Sequence, residues 1–325
     1  MQTQYHPNAD QIALVNTVEE SLAELLPLSR VHRTHEESAE TWAQLEEIGI
    51  FAMGLGEAQG GSGLGAVEEA LIVMALGRRL AAPSVFSTIG ALHARPSRGA
   101  APSPDAPLVR AARVSSGYRR GDKVMAIHDP DAQRVLVRSP TRAELFEIPA
   151  APARLVDDRL WLSDLREVLP PGRPLADYDE AGMLRLRLID AAALAGIAQA
   201  ALDMGVAYAG TREQFGRPIG SFQAVKHHCA NMAIAARCAR DQTAFAAVAV
   251  DRGREDAGFQ VESALFVAGS AALETAGKNI QIHGGLGFSD EADPHLLIKR
   301  AQVLLTVAGG LEAAKERIAN STTGW

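Results

Sequence analysis

The sequence predicts a mostly α-helical protein in three parts: an N-terminal helical domain over residues 1–95, a small β-domain with a Pro-rich linker over 96–180, and a C-terminal four-helix bundle over 181–325. Two observations lead to this fold class. In the first and last parts, apolar residues recur at the spacing of one helix face. The middle part instead holds most of the prolines and several short runs typical of β-strands, with turn residues between them.

The composition bounds the class of protein and its partners. With 325 residues, 47% of them apolar, the chain can bury a full core and form two or three domains. Its net charge of −7 argues against nucleic acid and against an anionic membrane surface as partners. Cys229 and Cys238 lie on one predicted helix, too far apart for a disulfide. The N-terminus lacks the features of a signal peptide, and no apolar run reaches the length of a membrane span. We therefore expect a cytoplasmic protein that does not enter a membrane.

The first part is predicted to contain three helices. Apolar residues share one helix face between Ala9 and Leu26. Thr41 can cap a short helix over Trp42–Ile48, which Gly49 would end. A third helix is expected from about Gly65 to Leu80.

The middle part is predicted to form a small, reduced β-domain. Five short β-like runs are expected to be strands: Leu108–Val114, Lys123–Ile127, Arg134–Arg138, Glu144–Ile148 and Arg159–Leu162. The Pro-rich stretch 169–174 would then link this domain to the last one.

The last part is rich in alanine, with leucine, methionine and valine between. Its candidate helices run roughly over 181–211, 221–252, 257–282, 291–306 and 308–319. Small residues allow helices to pack closely, and these helices are apolar over much of their circumference. This pattern predicts a four-helix bundle and an oligomer interface.

Two stretches in this last part carry the chemistry. Gln281–Phe288 has three glycines in four positions, which allow a positive φ and bring backbone N–H groups close to a phosphate. Taken alone, it would also suit a helix C-cap followed by a turn. The second stretch, Arg212–Ile219, is followed directly by Phe222–His227.

Together, and in this order, the two stretches resemble the C-terminal signature of the acyl-CoA dehydrogenase family. The succession of helical domain, β-domain and four-helix bundle is also that family's architecture, so the resemblance covers nearly the whole chain. Three N-terminal stretches are similar to the family's second and third helices: Trp42–Ile50, Glu57–Gly63 and Ala75–Arg78. The middle domain is short and lacks the aromatic-x-Thr/Ser-Asn-Gly strand that usually meets the flavin ring.

The resemblance implies FAD as cofactor, each molecule lying across two subunits. Arg212 would then pair with the pyrophosphate of the neighbour's FAD, a contact that suits a guanidinium. Gln214 and Phe215 would contact the adenine end of the same FAD. The loop against its pyrophosphate would be formed by Gln281 and by the backbone of Gly284, Gly285 and Gly287.

The catalytic base is where the chain departs from the family. Counted from Arg300, the position of the usual glutamate falls on Gly309. The second position used in the family, on the first bundle helix, falls on Leu186, and neither residue can take a proton. Asp190, one turn beyond Leu186, is the remaining candidate on that helix. Leu311 stands where the family generally has a flavin-contacting threonine.

Three interpretations follow. In the favoured one, the chain is a subunit of an α2β2 heterotetramer, similar to steroid-degrading acyl-CoA dehydrogenases. A second family member would supply the base, a CoA thioester would be the substrate, and an electron-transfer partner would reoxidise the flavin. In the second, a homo-oligomer uses a non-standard base or performs oxygenase chemistry. In the third, the chain is a non-catalytic scaffold subunit. These three interpretations can be discriminated by testing whether the purified chain binds flavin alone, only together with a partner, or not at all.

Overall fold

The computed structural model describes residues 6–33, 36–57, 61–96, 112–148, 154–157, 164–168 and 172–321. In its first region lie four helices: α1 (Ala9–Leu25), α2 (Ala39–Glu47), α3 (Ala66–Arg78) and α4 (Pro83–Ala91). A 3-10 turn, Leu28–His32, follows α1.

The N-terminal cap of α2 differs from the sequence prediction. The helix begins at Ala39, and the side chain of Ser38 accepts a hydrogen bond from the N–H of Thr41. Thr41 is therefore inside the first turn, and Ser38 is the cap. Helix α4 was not predicted as a separate element. It begins at Pro83, whose missing N–H costs nothing at the first position of a helix.

The middle region forms one mixed sheet. Within the described residues its strands are β1 (Arg95–Pro96), β2 (Val114–Arg120), β3 (Lys123–Ile127), β4 (Arg134–Arg138), β5 (Ala143–Glu147), β6 (Arg154–Asp157), β7 (Leu165–Val168) and β8 (Ala176–Asp177). Their order in the sheet is β1-β8-β5-β4-β2-β3-β7-β6. Only the β2–β4 pair is parallel; every other neighbouring pair is antiparallel.

The sequence predicted three of these strands closely. β3 and β4 have the predicted bounds, and β5 is shifted by one residue. The predicted run Leu108–Val114 lies mostly outside the described residues, and β2 begins where that run ends. The predicted strand Arg159–Leu162 also lies outside them. β2 itself was missed because its centre, Ser-Ser-Gly, has low β-propensity.

The last region is a set of long helices. They are α5 (Glu180–Thr211), α6 (Gln223–Asp251), α7 (Ala257–His283), α8 (Pro294–Ala308) and α9 (Gly310–Ala319). All five were predicted, with ends within three residues. A small hairpin, β9 (Glu213–Gln214) and β10 (Arg217–Pro218), joins α5 to α6. A 3-10 turn, Gly284–Phe288, joins α7 towards α8.

Helix α5 lies at the centre and contacts the first region directly. A Cβ added at Gly77 of α3 would lie 2.2 Å from the carbonyl oxygen of Ala193, and one at Gly196 of α5 would lie 2.0 Å from that of Met74. Only glycine permits such backbone contact. Helix α5 is long and apolar enough to cross a membrane, but 72% of its most apolar window is buried within the protein. Its hydrophobicity is therefore accounted for by its place in the core.

Candidate cofactor-binding site

The first candidate segment is the β9–β10 hairpin at the end of α5. Arg212 caps the helix, and its carbonyl accepts a hydrogen bond from the N–H of Ile219 at 2.8 Å. Gln214 pairs with Arg217 across a two-residue turn formed by Phe215 and Gly216, which have φ values of +53° and +74°. A positive φ at both turn residues is the geometry of the tight turns preferred in hairpins. For a phenylalanine this conformation costs about 1–2 kcal/mol.

This hairpin presents its side chains to solvent. Phe215 is 93% exposed, and both Arg212 and Gln214 are exposed. Arg217 lies over the ring of Phe222, 4.2 Å from its centroid, so its guanidinium already has a partner. The Arg212 guanidinium makes no hydrogen bond or ion pair with any residue that the structure describes. It is therefore available to an anion.

The second candidate segment follows the end of α7. Gln281, Gly284 and Gly285 are exposed, and Gly284 ends the helix with φ +63°. No atom lies within 4 Å of a Cβ built at Gly284 or Gly285, so this backbone is open to a ligand. Gly287 is different: it is buried, and a Cβ there would lie 2.7 Å from the carbonyl oxygen of Ile280. Its glycine is thus required by packing against α7.

The structure brings the two segments to the same end of the bundle. The Tyr208 ring, on the last turn of α5, stacks on His283 at the end of α7 with centroids 4.0 Å apart. The Nδ1 of His283 lies 2.8 Å from the carbonyl oxygen of Asn279. Below this pair, Ala209 and Ile282 share a small apolar cluster. The end of α5 therefore lies beside the end of α7.

This donor set fits the anionic and adenine ends of FAD. A pyrophosphate needs a cation and N–H groups, which Arg212 and the open backbone at Gly284 and Gly285 offer. An adenine ring needs an apolar or aromatic surface with amide donors nearby, which Phe215 and Gln214 offer.

The two positions that correspond to the family's usual base, Leu186 and Gly309, hold no proton acceptor. Leu186 is 1% exposed and belongs to a cluster of buried side chains that includes Leu136, Leu145 and Tyr178. Gly309 ends α8 in the left-handed conformation, with φ +93°. The first position is filled by the apolar core, and the second has no side chain.

Asp190 is buried and already paired. The Nη1 of Arg138, on β4, donates to both of its carboxylate oxygens at 2.8 and 2.6 Å. Burial raises the pKa of Asp190, while the guanidinium of Arg138 opposes that rise. The carboxylate thus joins α5 to the sheet.

The sequence did not predict how closely α4 contacts the sheet. The hydroxyl of Ser116, on β2, contacts Ser87 and donates to the carbonyl oxygen of Pro83 at 3.0 Å. The N–H of Val114 donates to Thr88 Oγ1 at 3.1 Å. These groups are buried, so α4 and β2 meet without a gap at these positions.

A cavity of about 600 Å³ opens between the rim of the sheet, α5, α7 and α9. Arg187 Nη1 and Arg317 Nε both donate to Oε1 of Glu262, each at 2.8 Å, on its wall. Burial lowers the pKa of Arg187, and Glu262 opposes this. The sequence prediction assigned no role to this trio. The sequence feature that could have indicated this trio is Glu262, a glutamate within the otherwise apolar start of α7.

Comparison with known proteins identifies the family. The model for the acyl-CoA dehydrogenase N-terminal domain matches residues 8–96, and that for the C-terminal domain matches 177–323. The chain is 32% identical to acyl-CoA dehydrogenase IpdE2 of Mycobacterium tuberculosis over 268 residues, which are 79% of this chain and 78% of that protein. The chain belongs to the acyl-CoA dehydrogenase family. Members of this family are FAD-dependent flavoproteins.

Other proteins resemble the chain in part of their length or in fold. Acyl-CoA dehydrogenase FadE34 of M. tuberculosis is 38% identical over 169 residues, which are 50% of this chain but only 23% of FadE34. The ChsE4-ChsE5 complex from M. tuberculosis has a TM-score of 0.75 and 21% identity, covering 97% of this chain and 98% of the other. The Tcur3481-Tcur3483 steroid acyl-CoA dehydrogenase has a TM-score of 0.74 and 22% identity, covering 96% of each chain.

These findings confirm the predicted fold class: a mostly helical acyl-CoA dehydrogenase fold with N-terminal helices, a small sheet region and C-terminal helices. The domain boundaries at 95 and 180 stay predictions, and so do the roles assigned to the individual site residues.

Proposed function

We propose that this chain is one subunit of an FAD-dependent acyl-CoA dehydrogenase that removes hydrogen across the α,β-bond of a CoA thioester. It would bind the pyrophosphate and adenine of FAD through Arg212, Gln214, Phe215 and the Gln281–Gly287 loop. A second family member, in an α2β2 heterotetramer of the cytoplasm, would supply the base and the contacts to the flavin ring. An electron-transfer partner would reoxidise the flavin.

One contrast carries this proposal. The residues suited to one end of FAD are exposed, apart from the buried Gly287, whereas neither position suited to a base carries a proton acceptor. Leu186 is buried in a cluster of apolar side chains, and Gly309 has no side chain.

The comparisons support a second subunit by analogy alone. Both solved structures named above are described by the names of two proteins, and one of them is called a steroid acyl-CoA dehydrogenase. A steroid-derived CoA thioester is therefore the substrate class that we propose.

FAD would supply the acceptor for the hydride that leaves the β-carbon. The guanidinium of Arg212 would offset the charge of the pyrophosphate, and the amide of Gln214 would orient the adenine end. The ring of Phe215 would cover that end from water. Because Leu186 and Gly309 cannot accept the α-proton, the proton must pass to a carboxylate elsewhere, which we assign to the partner.

The test is to purify the chain alone and together with a co-expressed family member that carries the usual glutamate. We expect a colourless chain alone, and flavin absorbance with activity towards a CoA thioester for the pair. Flavin and turnover in the isolated chain would instead support the homo-oligomer with a non-standard base. If the partner keeps the same flavin content after this chain is removed, the result would support the scaffold interpretation.

A further inference from the structure

A second concave site lies far from the cofactor end, between the N-terminal helices and the bundle. It is a cleft of about 320 Å³ formed by α1, α3, α5 and α6. This volume is at the lower end of the range for small-molecule sites. The proposed dehydrogenase chemistry uses none of its residues.

The cleft has an apolar wall that the fold leaves incompletely covered. Leu71 and Met74 of α3 line one side, and Ile12 of α1 lines the other. Ile12 is 43% exposed, so a large part of its side chain is available to a ligand in the cleft. Ala195 and Gly196 of α5 also line the cleft, where the backbone of α3 packs directly against Gly196.

The charged side chains that line the cleft are paired, with the exception of Arg240. Arg78 donates to Glu19 at 3.0 Å and to Asp203 at 2.7 Å, which satisfies both acids. Gln199 donates to the other oxygen of Asp203 at 2.8 Å. Arg240 of α6 lines the same cleft and makes no hydrogen bond or ion pair with any described residue. Its charge is therefore the one that a ligand can neutralise.

We propose that this cleft binds a small amphipathic carboxylate. The carboxylate would pair with the guanidinium of Arg240, whose planar donors match it in geometry. The alkyl or ring body would cover Ile12, Leu71 and Met74 and remove them from water. An amine would be repelled by Arg240, and the acids that could attract it are already held by Arg78.

The experiment measures binding of octanoate to the full-length protein, purified with whatever partner it requires, by calorimetry and ligand-observed NMR. We expect saturable binding that weakens as salt is raised. Octanol, with the same chain and no charge, should bind at least about tenfold more weakly, because a charge-assisted pair is lost. Octylamine should not compete.

Three variants locate the site. Arg240→Gln should weaken octanoate binding about tenfold or more and leave octanol binding unchanged. Ile12→Gln should weaken the binding of both octanoate and octanol, since it removes part of the apolar wall and leaves the charge of Arg240 in place. Arg237→Gln is the matched control: Arg237 lies on the same helix, is exposed and already pairs with Asp241. It should change neither affinity.

The proposal is overturned if octanoate shows no saturable binding, if octanol binds as tightly, or if Arg240→Gln has no more effect than Arg237→Gln. All three variants replace exposed side chains, so the fold should be retained, which circular dichroism can verify. The measurement is of binding and not of turnover, so it is independent of whether the dehydrogenase proposal holds.

Discussion

At the scale of single residues, Arg212 is the side chain on which the proposed cofactor contact depends most. We expect Arg212→Ala to lower the affinity of the assembled enzyme for FAD roughly ten- to a hundredfold, since a charge-assisted hydrogen bond contributes about 1.5–3 kcal/mol. Flavin retained after dilution measures this. Arg217→Ala is the control, because Arg217 has the same charge on the same hairpin but covers Phe222. Equal flavin loss in both variants would contradict the assignment.

Asp190 distinguishes a structural carboxylate from a catalytic one. Asp190→Asn would leave the buried Arg138 without its counterion, so we expect a loss of about 3–5 kcal/mol in the free energy of unfolding. Turnover per bound flavin should change less than threefold if the base lies in the partner. Denaturant unfolding and single-turnover kinetics measure the two effects separately.

The double variant Arg138→Met/Asp190→Asn is the control for this pair. It removes both charges and should recover part of the lost stability. A hundredfold loss of turnover in Asp190→Asn with flavin still bound, not restored in the double variant, would make Asp190 the base.

The sequence drew attention to the candidate site residues whose conformation is set locally, and their roles stay predictions. The exposed Arg–Gln–Phe hairpin and the glycine loop are recognisable because adjacent residues set their geometry. The pairing of Asp190 with Arg138 was not predictable, because it depends on how α5 meets a strand that is distant in the chain. The interaction of Arg187 and Arg317 with Glu262 was missed for the same reason.

At the scale of elements, the connection between α6 and α7 carries a local ionic contact that depends on pH. Arg254 donates to both oxygens of Asp256 at 2.8 and 2.9 Å, and Gln260 donates to one of them. These hydrogen bonds, chiefly that from Arg254, lower the pKa of Asp256 to about 2 from an ordinary value of 3.8. The folded protein therefore binds this proton less readily than the unfolded chain. The stabilisation is present above pH 3.8 and is lost as the pH falls towards 2.

We expect Asp256→Asn to lower the Tm slightly at neutral pH, because the group is partly exposed and solvent screens its interactions. The Tm difference from the wild type should shrink between about pH 4 and pH 2. Thermal melts of both proteins over this range test it, with Arg254→Gln as the second half of the pair. A difference that persists undiminished at pH 2 would show that the charge is not responsible.

Helices were predictable as elements, and strands less so. The long helices carry many turns of consistent apolar spacing, so errors are confined to their ends. The short helices were less predictable: the cap of α2 was misassigned between two hydroxyl residues, and α4 was not predicted. The short strands that were not predicted, β1, β6, β7 and β8, have only two to four residues, and their partners come from elsewhere in the chain. Their existence therefore depends on the assembled sheet more than on propensity.

At the scale of the whole molecule, the cofactor end of the bundle has large apolar side chains in contact with solvent. Phe288 is 75% exposed, the exposed Leu286 lies in the same 3-10 turn, and the exposed Phe215 lies in the β9–β10 hairpin. We expect Phe288→Ser to weaken assembly with the partner without lowering the stability of the isolated chain, since burial of a phenylalanine contributes about 1.5–3 kcal/mol. Analytical ultracentrifugation measures the assembly. Ile234→Ser, on α6, is a matched exposed control, and equal weakening by both would show that the effect is not specific to this end.

The overall fold was predictable from the succession of helical and β-like patterns, but the packing of α4 and α5 against the sheet was not. This packing depends on Leu186, which is buried among apolar side chains, and on Ser87 and Ser116, which contact each other between α4 and β2. Such contacts involve three separate regions of the chain, and local patterns carry no information about them.

The contact of Gly77 with Ala193, and of Gly196 with Met74, also bears on how the protein unfolds. Because the backbones of α3 and α5 touch, the N-terminal helices cannot separate from the bundle without exposing the centre of both. The two regions should therefore melt in one cooperative heat-absorption peak, and limited proteolysis should not release the first as a stable fragment. A bulkier residue at Gly77 would push the helices apart and should divide that single transition into two.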